Sequence, residues 1–472
     1  MASVPPEKRS HWLAEALAAR PAEPEPLRGE AKADICIVGG GFTGLWTAIH
    51  LKQGDPSLDV TLIEKDACGA GASGRNGGFC MTWSSKISTL VKLAGAQEAL
   101  RLFRASEEAV SSIRSFCAEH DIDCGFRLDG WLWMASNQAQ LGAWDAAVET
   151  LDKLGTHPFE PLDRAEAQAR AGSERYLGGV YEKITATVQP AMLARGLARV
   201  ARSLGVRIHE ATPMTRLDRG APARIHTPGG VVTAERAVLA LNAWACHIPE
   251  FRRSVLAVIT DMVVTEPAPE RLAATGLGHG AAMSDSRMLV NYYRTTVDGR
   301  LAWGIGGSGF PWGGAPGERE DGPSKRPGHL ASTLRHYYPA LADLGIATNW
   351  RGPVTRTATG LPFFGHMDGH PNIVYGHGYT GNGVGPCYIG GRILASLARG
   401  GTDEWSDCVL AKGPPGRFPP EPFRYVGAHM VRDAVARKER AEDRHRKPNR
   451  LDVALAGLAP AGLVPQADET KT

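Results

Sequence analysis

Apolar and polar positions near the start of the chain form a pattern that predicts a strand, a helix and a second strand. The run Ile35-Cys36-Ile37-Val38 is apolar and rich in β-branched residues, which is typical of a parallel strand buried on both faces. Apolar residues then recur at Leu45, Ala48 and Ile49, so one face of a helix can pack on a sheet. Residues 60–63 form a second apolar run. This order predicts an α/β fold that begins with a βαβ unit.

The pattern changes in the middle of the chain. Residues 190–204 have helical spacing, and residues 206–210 and 237–243 are typical of strands that return to the first sheet. Alternating strands with short connections between residues 254 and 350 predict a mainly antiparallel sheet. We therefore expect a discontinuous Rossmann-like domain and an α+β substrate domain. The expected boundaries are 31–82, 175–253 and 351–412 for the first domain, 83–174 and 254–350 for the second, and 1–30 and 413–472 for two terminal extensions.

Shorter segments carry their own predictions. Residues 10–17 indicate a short helix that docks on the body, and alternating charges over residues 426–450 indicate a solvated helix that packs on the body or on a second subunit. The remaining predictions are helical sequence at 87–120 and 139–171, strands at 126–135, 257–265, 288–295 and 300–306, and an irregular loop near the entrance at 304–328.

Glycines between the first strand and the helix fit the spacing G-x-G-x-x-G. Gly39 allows a tight turn, Gly41 lets the backbone approach a pyrophosphate, and Gly44 lets helix and strand pack closely. Glu64 ends the second strand, where its carboxylate can accept hydrogen bonds from ribose hydroxyls. The motif lies between a strand and a helix, so it predicts a dinucleotide-binding site rather than a glycine-rich turn.

A glycine-rich loop follows the acidic residue directly. Residues 69–78 combine five glycines with Ser73, Arg75 and Asn76. Backbone amides and these polar side chains can meet the phosphates and the sugar-like chain of a long ligand. A flexible surface loop would account for the glycines alone.

These motifs resemble those of the FAD oxidoreductases of the D-amino acid oxidase superfamily. The resemblance rests on V-G-G-G-F-T-G, E-K and G-A-G-A-S-G-R-N-G-G, and it continues at residues 376–385, which are similar to the second flavin loop of that superfamily. It implies FAD that is not covalently attached, because no cysteine falls at the attachment position of the sarcosine oxidases. The implied cofactor-binding residues are Gly39, Gly41, Phe42, Thr43, Gly44, Glu64, Lys65, Ala72, Ser73, Arg75, Asn76, Gly77, Gly78, Met214, Asn242, Gly378, Gly381, Asn382, Gly383 and Val384.

One subgroup is most similar, the aminophosphonate oxidoreductases, which stand close to γ-glutamylputrescine oxidases. The similar segments are the opening H-W-L-A-E-A-L, residues 80–86, residues 292–300 and the tail P-P-E-P-F-R. The resemblance implies hydride removal from an amine carbon, with 2-aminoethylphosphonate or its N-methyl form giving phosphonoacetaldehyde. The alternatives are γ-glutamylputrescine, another primary or secondary amine, or an amino acid.

An anionic substrate needs cationic side chains, because guanidinium and ammonium groups match phosphonate or carboxylate oxygens. The expected catalytic residues are Tyr293, Arg294 and His377, and the expected substrate-binding residues are Lys86, Trp303 and Arg356. For Lys86, Arg294 and Arg356, a structural ion pair is an equal alternative to ligand binding. Aromatic residues on strands more often belong to the core. Ala302 stands where sarcosine oxidases carry a lysine, so either O2 or another electron acceptor is open.

Composition excludes several classes of protein. Lys and Arg number 53 against 50 Asp and Glu, and a net charge of +3 gives no general attraction to nucleic acid or membranes. Eight scattered cysteines without a C-x-x-C pair indicate reduced thiols. No run approaches the ~18 apolar residues that span a bilayer. We expect a cytoplasmic monomer or homodimer without nucleic-acid or membrane partners.

A metal site and a role in binding partners are two further interpretations of the sequence. His366, His370 and His377 are closely spaced, but no cysteine or acid completes a set, so we expect no metal. The basic tail would suit a flavin-bearing interaction protein that binds a partner or RNA, although alternating charge more often marks a solvated helix.

Overall fold

A computed structural model describes residues 5–21 and 24–460 of the chain. The strands in chain order are β1 (Gly29–Val38), β2 (Val60–Ile63), β3 (Phe79–Cys80), β4 (Trp131–Ala135), β5 (Phe159–Leu162), β6 (Gly178–Glu182), β7 (Ala186–Thr187), β8 (Arg207–His209), β9 (Arg216–Asp218), β10 (Ala223–Thr227), β11 (Gly230–Leu239), β12 (Leu256–Thr265), β13 (Ala282–Asp285), β14 (Asn291–Thr295), β15 (Leu301–Gly309), β16 (Ile346–Arg356), β17 (Phe363–Met367) and β18 (His370–His377). The helices are α1 (His11–Ala19), α2 (Phe42–Gly54), α3 (Ile87–Glu119), α4 (Asp145–Lys153), α5 (Arg164–Ala171), α6 (Pro190–Ser203), α7 (Pro269–Ala274), α8 (Pro327–Tyr337), α9 (Pro386–Arg399), α10 (Phe423–Asp443) and α11 (Arg450–Ala456).

Two eight-stranded sheets form the body of the protein. The first has the order β17-β18-β11-β1-β2-β8, with β10 attached to β11 and β9 attached to β10. Its central strands are parallel, with β1 between β2 and β11. The second has the order β16-β12-β15-β14-β13-β4-β6-β5, and all its pairs are antiparallel except β13 with β4. The predicted fold class, a Rossmann-like domain with a mainly antiparallel second sheet, is confirmed.

The first sheet is covered on both faces because its strands are apolar on both faces. Ile35 and Ile37 point to the side where α2, α6 and α9 pack, whereas Cys36 and Val38 point to the side covered by β10 and the segment around Phe251. Side chains in a strand alternate between faces, so one apolar run serves both cores.

The sequence-based boundaries need two corrections. β6 and β16 belong to the second sheet, whereas boundaries at residues 175 and 351 assigned β6 and the end of β16 to the first domain. The chain passes from the second sheet to the first after each of these strands, and the sequence does not show on which side of the crossing the strand lies. The rest of the division stays a prediction.

Three local predictions were also wrong in detail. Residues 139–171 contain β5 between α4 and α5 rather than one helical stretch. The strand expected at 126–135 begins at Trp131. The irregular loop expected from residue 304 begins later, because β15 continues to Gly309. A glycine fits within β15 because the ring of Tyr292 lies over Gly304, where a Cβ would be 2.2 Å from Cζ of Tyr292.

Helix α1 docks on the body as predicted. Ser10 caps its N-terminus by accepting a hydrogen bond from the backbone of Leu13 at 3.0 Å. Trp12 is buried, and its indole donates to the carbonyl of Asn76 at 2.9 Å. The N-terminal helix therefore supports the glycine-rich loop.

The C-terminal helix α10 packs on the body along one face. Ala434, Val435 and Glu439 are buried, whereas Val426 and Met430 are exposed. The prediction that this region packs on the body is confirmed for α10, which is not solvated on all sides. No helix within the described ranges is long and apolar enough to cross a membrane.

Candidate active site

A cavity with a volume of about 380 Å³ lies where the two sheets meet. Val38, Ile63 and Ala240 at the carboxyl ends of parallel strands form one side, and Thr260 and Tyr292 of the second sheet form another. Ligands bind at this edge in open α/β sheets, because the following loops diverge and leave a crevice.

The glycine turn after β1 is built on very close backbone contacts. Gly39 has φ of +115°, and a Cβ there would lie 2.5 Å from the carbonyl oxygen of Ala240. A Cβ at Gly44 would lie 2.0 Å from the carbonyl oxygen of Gly39. Larger residues cannot occupy these positions without moving the backbone. The turn brings Gly41 and the N-terminus of α2 to the cavity wall.

Glu64 lies on the cavity wall at the end of β2. Its carboxylate accepts hydrogen bonds from the backbone N–H of Gly40 at 2.7 Å and of Asp66 at 3.0 Å. Burial raises the pKa of Glu64 to about 7. Hydrogen bonds from ligand hydroxyls would favour the carboxylate, so the group is suited to hold a ribose.

The glycine-rich loop is held mainly by its own polar side chains. The guanidinium of Arg75 pairs with Asp321 at 2.5 Å and donates to the carbonyls of Ala70 and Lys8. Asn76 donates to the carbonyls of Ala72 and Ser73 at 3.0 Å and accepts from the backbone of Gly78 at 2.7 Å. Both side chains reach the cavity wall, but their hydrogen bonds fix the loop.

Residues 376–385, the second glycine segment, contact the glycine turn after β1 and helix α2 through a threonine. Thr43 in α2 donates a hydrogen bond to the hydroxyl of Tyr379 at 3.0 Å and lies 3.2 Å from Sγ of Cys387 in α9. Asn382 donates to the carbonyl of Thr82 at 2.9 Å. The N-termini of α2 and α9 thus both face the cavity, and the partial positive charges of helix N-termini favour phosphate or developing negative charge.

Most of the predicted cofactor residues line this cavity. Those that do are Gly39, Gly41, Phe42, Thr43, Glu64, Lys65, Ala72, Ser73, Arg75, Asn76, Gly77, Met214, Asn242, Gly381, Gly383 and Val384. The remaining four, which lie behind the wall, are Gly44, Gly78, Gly378 and Asn382. The three glycines among them allow close packing, since a Cβ at Gly378 would lie 2.3 Å from Cγ2 of Thr357.

Tyr293 and Trp303 do not reach the cavity. Their rings stack with centroids 4.3 Å apart on the opposite face of the second sheet, in a core with Tyr176 and Tyr338. The neighbouring Tyr292 lines the cavity instead, because successive side chains of a strand point to opposite faces. The predicted roles for Tyr293 and Trp303 are therefore wrong.

Arg294 binds main-chain carbonyls rather than an anion. It donates to the carbonyls of Gly77 at 2.7 Å, Val188 at 2.6 Å and Thr295 at 3.2 Å. Burial lowers the pKa of Arg294 to about 9. Each of its three guanidinium nitrogens donates a hydrogen bond behind the glycine-rich loop, so the predicted catalytic role is wrong. The alternative, a structural role, is correct, although the partners are backbone carbonyls rather than an acidic side chain.

Lys86 and His377 also lie away from the cavity wall. Lys86 is buried in the short turn before α3. His377 packs among Phe251, Phe363 and Tyr375, and burial lowers its pKa to about 3, which keeps it neutral. It shares a strand face with Tyr375, two residues earlier, so it points into the core and cannot act on a ligand in the cavity.

Arg356 is the one predicted substrate residue that reaches the cavity. It ends β16, is partly exposed and lines the wall. Within the described part of the chain, its guanidinium has no hydrogen-bond or ion-pair partner, and burial alone lowers its pKa from the usual 12.5. An unpaired cation on a cavity wall is suited to bind an anionic group.

Several wall residues were not predicted from the sequence. They include Thr212, Trp244, His247, Thr260, Val290, Gly306, Thr355, Tyr379 and Cys387. Tyr379 lies inside the second glycine segment, so its position was the available signal. The others come from strands, turns and, for Cys387, helix α9, whose composition does not differ from core. Across residues 5–21 and 24–460, no three His, Cys, Asp or Glu side chains form a group that could hold a metal ion.

Comparison with known proteins identifies the family. The model of the family "DAO: FAD dependent oxidoreductase" matches residues 34–397. The chain belongs to this family. It is 32% identical to the γ-glutamylputrescine oxidoreductase of Escherichia coli, over 87% of this chain and 95% of that protein. It is 31% identical to the probable oxidoreductase OrdL of Rhizobium meliloti, over 83% and 89%.

A solved structure supports the fold assignment. The glycine oxidase of Geobacillus kaustophilus superposes with a TM-score of 0.65 at 21% sequence identity, covering 81% of this chain and 99% of that chain. The family match and the two relatives at 31–32% identity make the protein an FAD-dependent oxidoreductase of the group that acts on amines and amino acids.

The residues of the cavity fit FAD. The N-terminus of α2 suits the pyrophosphate, Glu64 suits the ribose, and Gly71 and Gly381 leave open space where a Cβ would meet no atom within 4 Å. Bound FAD supplies a hydride acceptor. The walls formed by Val258, Val290 and Tyr292 are largely apolar beside it.

Proposed function

We propose that the protein oxidises a primary or secondary amine that carries an anionic group, with γ-glutamylputrescine as the first candidate. The observation that carries this proposal is Arg356, whose guanidinium lies on the cavity wall without a partner among residues 5–21 and 24–460. A single guanidinium matches one carboxylate, as two parallel N–H···O hydrogen bonds. The 32% identical relative is a γ-glutamylputrescine oxidoreductase, which supports the same substrate.

The walls of the cavity support the chemistry that an amine requires. Removal of a hydride from the carbon next to nitrogen needs a neutral amine, whose lone pair assists C–H cleavage. An apolar environment lowers the pKa of an amine, because it disfavours the charged form. Val258, Val290 and Tyr292 provide that environment, and the N-terminus of α9 offers positive potential for the negative charge that develops on the acceptor.

A second candidate is 2-aminoethylphosphonate or its N-methyl form, which would give phosphonoacetaldehyde. The forked donors of Arg356 also match phosphonate oxygens. A dianion calls for more positive charge than one guanidinium, and the other cations on the wall are engaged, Lys65 with Asp66 at 2.8 Å and Arg75 with Asp321. We therefore rank this substrate below a carboxylate-bearing amine.

An amine panel tests the proposal directly. The purified protein is assayed with γ-glutamylputrescine, 2-aminoethylphosphonate, N-methyl-2-aminoethylphosphonate and unsubstituted alkylamines, with both O2 and an artificial dye as electron acceptor. The product aldehyde is measured in each case. Peroxide formation with O2 distinguishes an oxidase from a dehydrogenase. Absence of turnover with any acid-bearing amine would contradict the proposal.

Two arginine variants give the test its control. Arg356→Met should raise KM for acid-bearing amines by roughly 10- to 100-fold, since it removes a charge-assisted hydrogen-bond pair, and should leave neutral amines nearly unchanged. Arg294→Met should lower stability and affect acid-bearing and neutral amines equally, because Arg294 donates only to backbone carbonyls. Equal effects of Arg356→Met on both substrate classes would exclude an anion-binding role.

A further inference from the structure

A second cavity of about 490 Å³ adjoins the first. The two share Val258, Gly307 and Arg356 as wall residues, so they meet at Arg356. The new cavity continues outward between the second sheet and the C-terminal extension. A ligand in the first cavity that reaches past Arg356 therefore enters the second.

Helix α10 supplies one wall of the second cavity. Its wall positions, spaced by three or four residues as on one helical face, are Arg424, Gly427, Ala428, Val431 and Val435. The opposite wall includes Leu256, Met288, Leu289 and Phe310.

The wall is held in place by buried polar contacts at both ends. Arg424 donates to the carbonyl of Val255 at 3.2 Å and pairs with Glu421 at 2.9 Å. Glu439 accepts hydrogen bonds from the backbone of Met288 at 2.8 Å and of Leu289 at 3.2 Å. Since Met288 and Leu289 are themselves wall residues, α10 fixes both sides of the cavity.

The lining is apolar and its outer part is open. Phe423 and Leu458 are wall residues that are 72% and 71% exposed, which is unusual for large apolar side chains grouped around one opening. Of the three cations on the wall, Arg424 pairs with Glu421 and Arg432 with Asp433, and Arg356 is unpaired among the described residues. Counting only residues that the structure describes, the arrangement offers one free cation at the inner end of an apolar groove.

We infer that the second cavity is a distal substrate subsite, which takes an apolar chain extending beyond the acidic group that Arg356 binds, and that α10 determines this specificity. The inference rests on the proposed function, since it assumes that the acid-bearing amine lies in the first cavity. Continuity of the two cavities at Arg356 is the reason to assign one molecule to both.

Kinetics with paired substrates test the inference. The probes are an acid-bearing amine that the enzyme turns over and the same molecule with linear alkyl chains on the carbon next to its carboxylate. KM should fall by roughly fourfold for each buried methylene in the unaltered enzyme. Ala428→Trp, which fills the groove, should abolish this gain and leave the unsubstituted amine unchanged. Met430→Trp is the matched control, because Met430 lies on the exposed face of α10, and it should keep the gain.

A binding measurement separates this inference from the proposed function. Octanoate combines a carboxylate with an apolar chain, and its binding to the holoenzyme is measured by calorimetry without turnover. Binding should weaken tenfold or more in Arg356→Met and in Ala428→Trp, and persist in Met430→Trp. Val431→Phe serves as a milder filling variant if Ala428→Trp does not fold.

Each outcome decides the matter. The subsite is excluded if octanoate binds equally to all variants or does not bind the unaltered protein. It is also excluded if added methylenes still lower KM in both Ala428→Trp and Val431→Phe. Absence of turnover with every acid-bearing amine, combined with octanoate binding that depends on Arg356 and Ala428, contradicts the proposed function and retains the groove as a binding site for an apolar acid.

Discussion

Arg294 and Arg356 show how residues of one type acquire different roles. Arg294 donates to three backbone carbonyls behind the glycine-rich loop, and Arg356 has no partner among the described residues. A buried guanidinium with saturated donors supports the fold, since removing it leaves carbonyls unpaired. One with free donors on a cavity wall can bind a ligand.

We expect the carboxylate of Glu64 to contribute directly to the affinity for FAD. Glu64→Ala removes the carboxylate that we propose binds the ribose, so FAD affinity should fall roughly hundredfold, as expected for the loss of charge-assisted hydrogen bonds. Titration of apoprotein with FAD, followed by flavin fluorescence, measures this. Glu235→Ala, an exposed carboxylate on the same sheet, is the control and should bind FAD normally. Unchanged affinity in Glu64→Ala would show that the carboxylate does not contact the cofactor.

We expect FAD to bind without a covalent bond to the protein. Cys387 lies on the cavity wall, and burial raises the pKa of its thiol to about 12, so little thiolate is present to attack a flavin. We expect acid precipitation to release all FAD into the supernatant, measured by its absorbance. Flavin retained in the protein pellet would indicate a covalent bond and contradict the prediction.

Elements decide which side chains reach the ligand. On β14 the aromatic pair Tyr292 and Tyr293 is ambiguous in sequence, because either register buries one ring. On α10 the many charged residues indicate a solvated helix, although Ala428, Val431 and Val435 form an apolar face. In both cases the position of the neighbouring element selects the face.

The docking of α10 predicts a pH dependence of stability. Burial raises the pKa of Glu439 from 4.5 to about 7. The pKa of Glu439 is higher in the folded chain than in the unfolded chain, so protonated Glu439 stabilises the fold. This contribution to the free energy of unfolding is complete below about pH 4.5 and is lost as the pH rises through 7. Glu439→Gln keeps an oxygen for Met288 and Leu289 but does not titrate. Between pH 5 and pH 8, the free energy of unfolding of the unaltered protein should fall relative to the variant by roughly 1–3 kcal/mol.

Urea unfolding at several pH values measures this difference. Asp433→Asn, on the exposed face of the same helix, is the control and should follow the unaltered protein at every pH. A constant difference between Glu439→Gln and the unaltered protein from pH 5 to pH 8 would exclude Glu439 as the titrating group.

At the scale of the whole molecule, the C-terminal extension is part of the enzyme body. A chain that ends at Gly413 loses the buried face of α10, the partners of the Met288 and Leu289 amides, and the ion pair between Arg287 and Asp443 at 2.6 Å. It should unfold at a temperature at least 5 °C lower, as scanning calorimetry would show, because several kcal/mol of burial and hydrogen bonding are removed.

A chain that ends at Pro460 is the matched control, because it keeps α10, the helix α11 that packs on it, and these contacts. It should melt like the full chain. Unchanged stability and amine turnover in the shorter chain, together with loss of binding to a partner protein or RNA, would favour a role for the tail in interaction.

The sequence by itself determined the cofactor half of this protein. Gly39, Gly41 and Glu64 are adjacent in one βαβ unit, and local spacing fixes their geometry whatever surrounds them. The substrate half was decided by tertiary structure. Arg356, Tyr292 and Ala428 come from three distant segments, and strand register and helix docking decide whether each faces a cavity or the core. A pattern of apolar and charged residues specifies that a face is buried, and only the folded chain specifies what it is buried against.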